Sequence, residues 1–73
     1  MEKTLPVLEI QRLRINENWA KTEGYQRLIL DVGDSNDFAI ALYTRKGFKP
    51  TGVTGHLPSP RAHILEHEMA LDL

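Results

Sequence analysis

One run of this chain carries residue types whose spacing could do chemistry: Asn36-Asp37-Phe38-Ala39-Ile40-Ala41-Leu42-Tyr43-Thr44-Arg45-Lys46-Gly47-Phe48. It follows a strand-like segment and a turn, so Asn36 would open a helix just past a strand end, with Tyr43 two turns further on. Strand ends followed by helix N-termini are where α/β proteins bind ligands. The same residues have mechanical uses: Asn36 as a cap, Tyr43 as a packed aromatic, Gly47-Phe48 as helix stop and strand start. Spacing alone favours the mechanical uses.

The other candidates are weaker. His63 and His67 are four apart, the spacing of a helical zinc pair. Their segment alternates like a strand, however, where four residues span about 13 Å, too far for one ion. Glu66 and Glu68 share one face of that strand, about 6.6 Å apart. Paired carboxylates can do acid–base work, but two glutamates on a strand face are more commonly its wet side. Trp19, the single tryptophan, could anchor a partner or pack in a core. Ser35 and Ser59 lack a G-x-S-x-G context, and neither phosphate-cradling glycine motif occurs. With no cysteine, a disulfide, thiolate nucleophile or thiolate zinc site is excluded.

These residues need elements to hold them. Pro6 suits a helix start, and no glycine or proline interrupts until Gly24, so one helix is expected from Pro6 to Glu23. Its apolar stripe is split. Leu8, Ile15 and Trp19 lie on one side, and Leu13 and Ala20 roughly 120° away. Asn16 falls beside the second pair, where a core-facing helix wants an aliphatic residue, and Arg12 lies near it. This helix is expected to be the least stable element. Tyr25 to Val32 reads as a strand, with Leu28, Leu30 and Val32 alternating against Arg27, Ile29 and Asp31. Gly33-Asp34-Ser35-Asn36 is turn chemistry. Asp37 to Lys46 is a short helix whose apolar surface comes from Phe38, Ile40, Ala41 and Leu42, with Tyr43 on the face of Ala39. Gly47 stops it. Phe48 to Val53 is a weaker strand in which Pro50 and Gly52 suggest an edge or a bulge. Gly55 to Pro60 reads as a loop. From His63 to Leu71 a last strand puts Leu65, His67, Met69 and Leu71 on one face. The expected fold class is α/β (α+β), in the order α-β-α-β-β: a small mixed three-stranded sheet with two helices, forming a single domain over residues 1–73.

Seventy-three residues and 8.3 kDa allow one small domain, which makes a complete enzyme with a deep cleft an unfavoured expectation. Hydrophobic content of 41% with 26% charged residues is globular composition. A net charge of −1 gives no electrostatic bias toward nucleic acid or an anionic membrane. No apolar run is long enough for a signal peptide or a membrane span, so a cytoplasmic protein is the expectation, with neither nucleic acid nor membrane as partner.

The run Asn36-x-x-Ala39-x-x-Leu42-Tyr43-x-x-x-Gly47-Phe48 resembles the C-terminal signature of the GNAT superfamily of acyl-CoA-dependent N-acetyltransferases. Trp19-Ala20 and Gly24 to Val32 look like the end of that family's third helix and its fifth strand. Phe48 to Val53 and His63 to Leu71 look like the sixth and seventh. The resemblance covers roughly residues 11–73. It implies that Tyr43 matches the tyrosine that protonates the departing CoA thiolate; an ordinary phenol, with a pKa of about 10, holds that proton at neutral pH. It further implies that Asn36, Ala39 and Tyr43 contact acetyl-CoA as co-substrate, with no metal, and that the seventh strand lies between the fifth and sixth, antiparallel to both.

The departures are equally specific. A full member is about twice this length. The first strands and helices have no counterpart here, nor does the fourth strand, which pairs with the pantetheine arm. Residues 1–10 hold no glycine, so they cannot supply the glycine-containing pyrophosphate loop. The chain therefore looks like the C-terminal half of an acetyltransferase, N-terminal half missing. Two functions are carried forward. The first is an acetyl-CoA half-site acting on an amine, inactive alone and needing a complementary half or a second copy. The second is a non-catalytic α/β interaction module that has lost acetyl-CoA binding. A strand from Gln26 to Val32 without its neighbour would expose an apolar edge, so a homodimer is expected through that edge, the first helix, or both.

Overall fold

A computed structural model describes residues 3–14 and 16–73, the side chains of Arg12 and Leu13 excepted. Along the chain these form β1 (Thr4–Pro6), α1 (Val7–Leu13), α2 (Glu17–Thr22), β2 (Arg27–Gly33), α3 (Asp37–Arg45), β3 (Lys49–His56) and β4 (Leu65–Asp72). The mixed α/β class holds. The sheet has four strands rather than three, in the order β1-β2-β4-β3.

The added strand corrects one expectation. The edge of β2 is not bare along its length: β1 lies parallel to it, with Thr4 opposite Arg27, Leu5 opposite Leu28 and Pro6 opposite Ile29. A parallel strand thus stands where the fourth strand of the resembled family would be. It is only three residues long, and Pro6 at its end has no amide hydrogen to donate. Leu5, 6% exposed, is why it docks. From Leu30 to Gly33 the same edge of β2 has no strand partner among the described residues.

The long first helix is also corrected. It is two short helices. Arg14 takes left-handed dihedrals (φ 55°, ψ 37°) and ends α1. Asn16 then opens α2, its Oδ1 accepting a hydrogen bond from the Trp19 amide at 2.8 Å. Asn16 looked misplaced on a core-facing helix because it is a cap. Of the two apolar stripes, Ile15 lies outside the described residues, as does the side chain of Leu13. Ala20 is fully buried and Leu8 is 69% exposed.

In the C-terminal part the expected topology stands. β4 lies between β2 and β3, antiparallel to both, running from Arg27 opposite Asp72 to Gly33 opposite Glu66. Gly47 (φ 102°) ends α3, and its amide donates to the Thr44 carbonyl. β3 runs further than expected, through Gly55 and His56. A register shift between Pro50 and Thr54 and a positive φ at Gly52 absorb the irregularity, and pairing resumes at Thr54 opposite His67.

The core is Leu5, Ala20, Leu28, Val32, Phe48 and Met69, with Val7, Ile10, Ala39, Ile40 and Tyr43 packed against it. Residues of α1, α2 and α3 therefore all pack on the sheet face that carries Leu28, Val32 and Met69. Within α3, Phe38 (81% exposed) and Ala41 point away from that face and Ala39 and Tyr43 toward it, which corrects the expected apolar surface. At 100° per residue Phe38 lies about 140° from Tyr43. The opposite sheet face carries Arg27, Ile29, Asp31, Glu66, Glu68 and Asp72, and no described helix covers it.

Candidate functional site

Where β1 stops at Pro6 and the chain turns into α1, β1 and β2 part company. The gap is a cavity of about 420 Å³. Pro6, Val7, Leu8 and Gln11 form one wall, Ile29, Leu30 and Asp31 the other, with Tyr43 and Glu68 completing it. Its lining comes from both faces of β2: Leu30 with Tyr43 on the helix side, Ile29 and Asp31 with Glu68 on the uncovered side.

Tyr43 is held in place by packing. It is half-buried, sits against the core, and meets Phe48 edge-to-face with ring centroids 5.5 Å apart at 70°. Among the described residues no hydrogen bond occupies its phenol. This is the arrangement in which a tyrosine can offer its O–H to a bound molecule.

Asn36 and Ala39 do not reach the cavity. The Asn36 side chain accepts from the Ala39 amide at 3.2 Å and caps α3. Its carbonyl accepts from Ile40 at 3.1 Å, and its own amide donates to Gly33 at 3.0 Å. Ala39 is half-buried against the core. Of the three residues expected at the site, Tyr43 alone lines the cavity, and about two helical turns, roughly 10 Å, separate it from Asn36.

The histidines lie apart. His63 is exposed in the turn before β4. His67 Nε2 pairs with Asp34 Oδ1, and His56 Nδ1 lies 2.9 Å from the Ala62 carbonyl. No group of three or more His, Asp or Glu that could hold a metal occurs among the described residues. Trp19 is 40% exposed and tilts against Tyr25 with ring centroids 6.1 Å apart.

Sequence reasoning missed the carboxylate wall. Asp31 was read as the polar phase of a strand and Glu68 as a wet-side partner of Glu66. The strand register instead sets Asp31 directly opposite Glu68, and both line the cavity. Alternation gave the face of each residue but not which one it would meet. Leu8 and Gln11 were missed because the first helix was expected to be continuous and its splay from β2 was not legible.

The acetyl-CoA fit is divided. The phenol and the apolar surface of Leu8, Leu30 and Val7 suit a thioester and its flexible arm. Among the described residues the pyrophosphate end finds no counterpart: Pro6 leads straight into α1 with no glycine loop and no side-chain cap.

Residues 13–48 match the model described as the acetyltransferase (GNAT) family. The match takes in α2, β2 and α3, and ends at Phe48. No curated protein and no solved structure matches the chain significantly.

Proposed function

We propose that this chain, which carries part of a GNAT acetyltransferase domain, is a half-site for acetyl transfer from acetyl-CoA to an amine. The observation that carries the reading is the placement of Tyr43 on the cavity at the parting of β1 and β2. When bound, acetyl-CoA supplies an activated acetyl thioester. The chain's own contribution is a proton held at Tyr43 Oη and an apolar wall from Leu8 and Leu30. Asn36 and Ala39 act through the chain rather than by contact: the cap fixes the start of α3 and so the position of Tyr43 two turns on.

The half-site is incomplete by itself. Among the described residues, the edge of β2 from Leu30 to Gly33 has no strand partner and one sheet face has no helix over it; Leu8 is exposed at the cavity mouth. A complementary acetyltransferase half or a second copy of the chain would supply these walls. The isolated chain is therefore expected to transfer no acetyl group. A turnover of about 1 s⁻¹ or more from the chain alone would contradict this. In an enzyme reconstituted from two halves, Tyr43→Phe should lower kcat by roughly 10²–10⁴-fold, the usual size of a general-acid contribution.

A second reading is favoured by the absence of a glycine loop between Pro6 and Val7: a non-catalytic interaction module that no longer binds acetyl-CoA. Thermal melts with and without millimolar acetyl-CoA separate the two. At ten times its Kd, a ligand raises stability by about 1.4 kcal/mol, which is several degrees for a domain of this size. A rise supports the half-site; an unchanged melt at 10 mM, about the ligand range in which mass action must show, leaves the interaction module.

A further inference from the structure

We infer that residues 3–14 form a strap that gates the cavity, latched by Lys3 and hinged at Arg14. The inference goes beyond the proposed reaction and holds whatever the cavity binds. One wall, made by Pro6, Val7, Leu8 and Gln11, belongs wholly to this segment, and the facing wall comes from β2, α3 and β4. The cavity is therefore as closed as the segment is. Three observations make the segment movable as a unit. It pairs with β2 over three residues, the last a proline. Its helix has no side-chain cap, and Leu8 is 69% exposed, so α1 rests on the sheet through half-buried Val7 and Ile10. Arg14, where α1 ends, holds left-handed dihedrals that are uncommon for a residue with a side chain. A few dihedrals at such a point can absorb a hinge motion, so β1 and α1 can swing without unwinding α2, which buried Ala20 fixes to the body.

The other end is fastened by Lys3. Its Nζ donates to the Glu23 carbonyl at 2.9 Å and lies 4.3 Å from the centroid of the Tyr25 ring. Its carbonyl accepts from the Gln26 amide at 2.8 Å. All three partners lie in residues 23–26, between α2 and β2. Leu5, 6% exposed, is the apolar pin beside this latch. Both side-chain contacts use the ammonium charge: one meets a carbonyl at a helix end, the other the negative face of an aromatic ring. A neutral side chain at position 3 loses both contacts and leaves the pin, so the strap opens more often while the fold is kept.

The chain has no cysteine, so one introduced thiol can report on the cavity. In L30C the thiol sits on the wall facing the strap, and its rate of alkylation by neutral iodoacetamide reads the opening. Adding K3M should raise that rate about fivefold, the worth of an exposed cation–π contact. Adding K3R instead, which keeps the cation and the donor, should hold the rate within about twofold of L30C alone. A V53C control, on the exposed part of β3, should react equally with and without K3M. Amide exchange in K3M without the thiol gives a second measure. The Gln26 amide should exchange about fivefold faster than in the natural chain. The Asp34 and Leu73 amides, which donate to the Leu65 and Gln26 carbonyls across the β2–β4 pair, should keep their rates. Unchanged alkylation at position 30 would overturn the inference, even with faster exchange at Gln26, because the strap would then not gate the cavity. Equal acceleration at Gln26, Asp34 and Leu73 would overturn it as well, since the segment would then open only with the whole fold.

Discussion

The two sides of β2 are built differently. Toward β4 it is paired along its whole length, from Arg27 to Gly33, and the unit β2–α3–β3–β4 closes on itself. Its helix has nine residues, an asparagine cap at one end and a glycine stop at the other. Toward β1 it is paired over three residues. The helices beyond are seven and six residues long, and α1 has no side-chain cap. Helices this short are not stable by themselves, so the N-terminal segment is held by the insertion of Leu5 and Ala20 into the core, by Lys3 donating to the Glu23 carbonyl at 2.9 Å, and by the same lysine lying 4.3 Å over the Tyr25 ring. The cavity lies on the seam between the two, with one firm wall and one loosely held. A site on such a seam is ready to be completed or remodelled by whatever next covers it.

The largest expected effect comes from the residue both sides share. Leu28 is 2% exposed, between Leu5 and Leu71 in the sheet. Leu28→Ala should cost about 3 kcal/mol, a large part of the stability of a domain this small, and should unfold both sides together in a denaturant melt. Separate transitions would show that the two sides do not cooperate.

Gly47→Ala strikes the firm side alone. A Cβ at that positive φ would lie 3.3 Å from Leu71 Cδ1. The expected loss is about 1–2 kcal/mol, read as a lower midpoint with an unchanged slope. A neutral result would mean that the end of α3 relaxes freely.

The caps sharpen the contrast. Asn36→Ala and Asn16→Ala each remove one side-chain acceptor, at a cost of about 1 kcal/mol to the helix concerned. In α3 that loss should appear in global unfolding. In α2 it should appear mainly as faster hydrogen exchange at residues 17–22, with little change in the global midpoint. Equal global effects would remove the distinction between the two sides. The smallest effect is expected at Leu8→Ser, within about 0.5 kcal/mol in a monomer because the side chain is mostly exposed. In sedimentation the same change should weaken any self-association that covers the cavity mouth.

The firm side was the legible one. Alternation placed Leu28, Leu30 and Val32 inward, Gly47 marked the end of α3, and Pro50 with Gly52 marked an irregular edge. Those signals are local, and the structure keeps them. The loose side was misread because its decisive facts are not local. Thr4 to Pro6 has no strand signature of its own and becomes a strand only because β2 offers an edge and the core accepts Leu5. Asn16 was visible as an oddity, but its role as a cap required the break at Arg14. Tyr43 could be singled out from its motif, while its position on a cavity followed from the splay of β1 from β2. The Asp31–Glu68 opposition needed the strand register, which no periodicity within one strand can supply.

The central claim is that the seam between β1 and β2, with Tyr43 on it, accepts the acyl end of acetyl-CoA. An amide-resolved titration of the chain with acetyl-CoA at millimolar concentration tests it most directly. The predicted result is a saturable set of shifts at Leu8, Gln11, Leu30 and Tyr43, reduced when free CoA without the acetyl group is used. No saturable shift at those residues, or shifts centred on the β3 edge or the turn at residues 57–64, would contradict it.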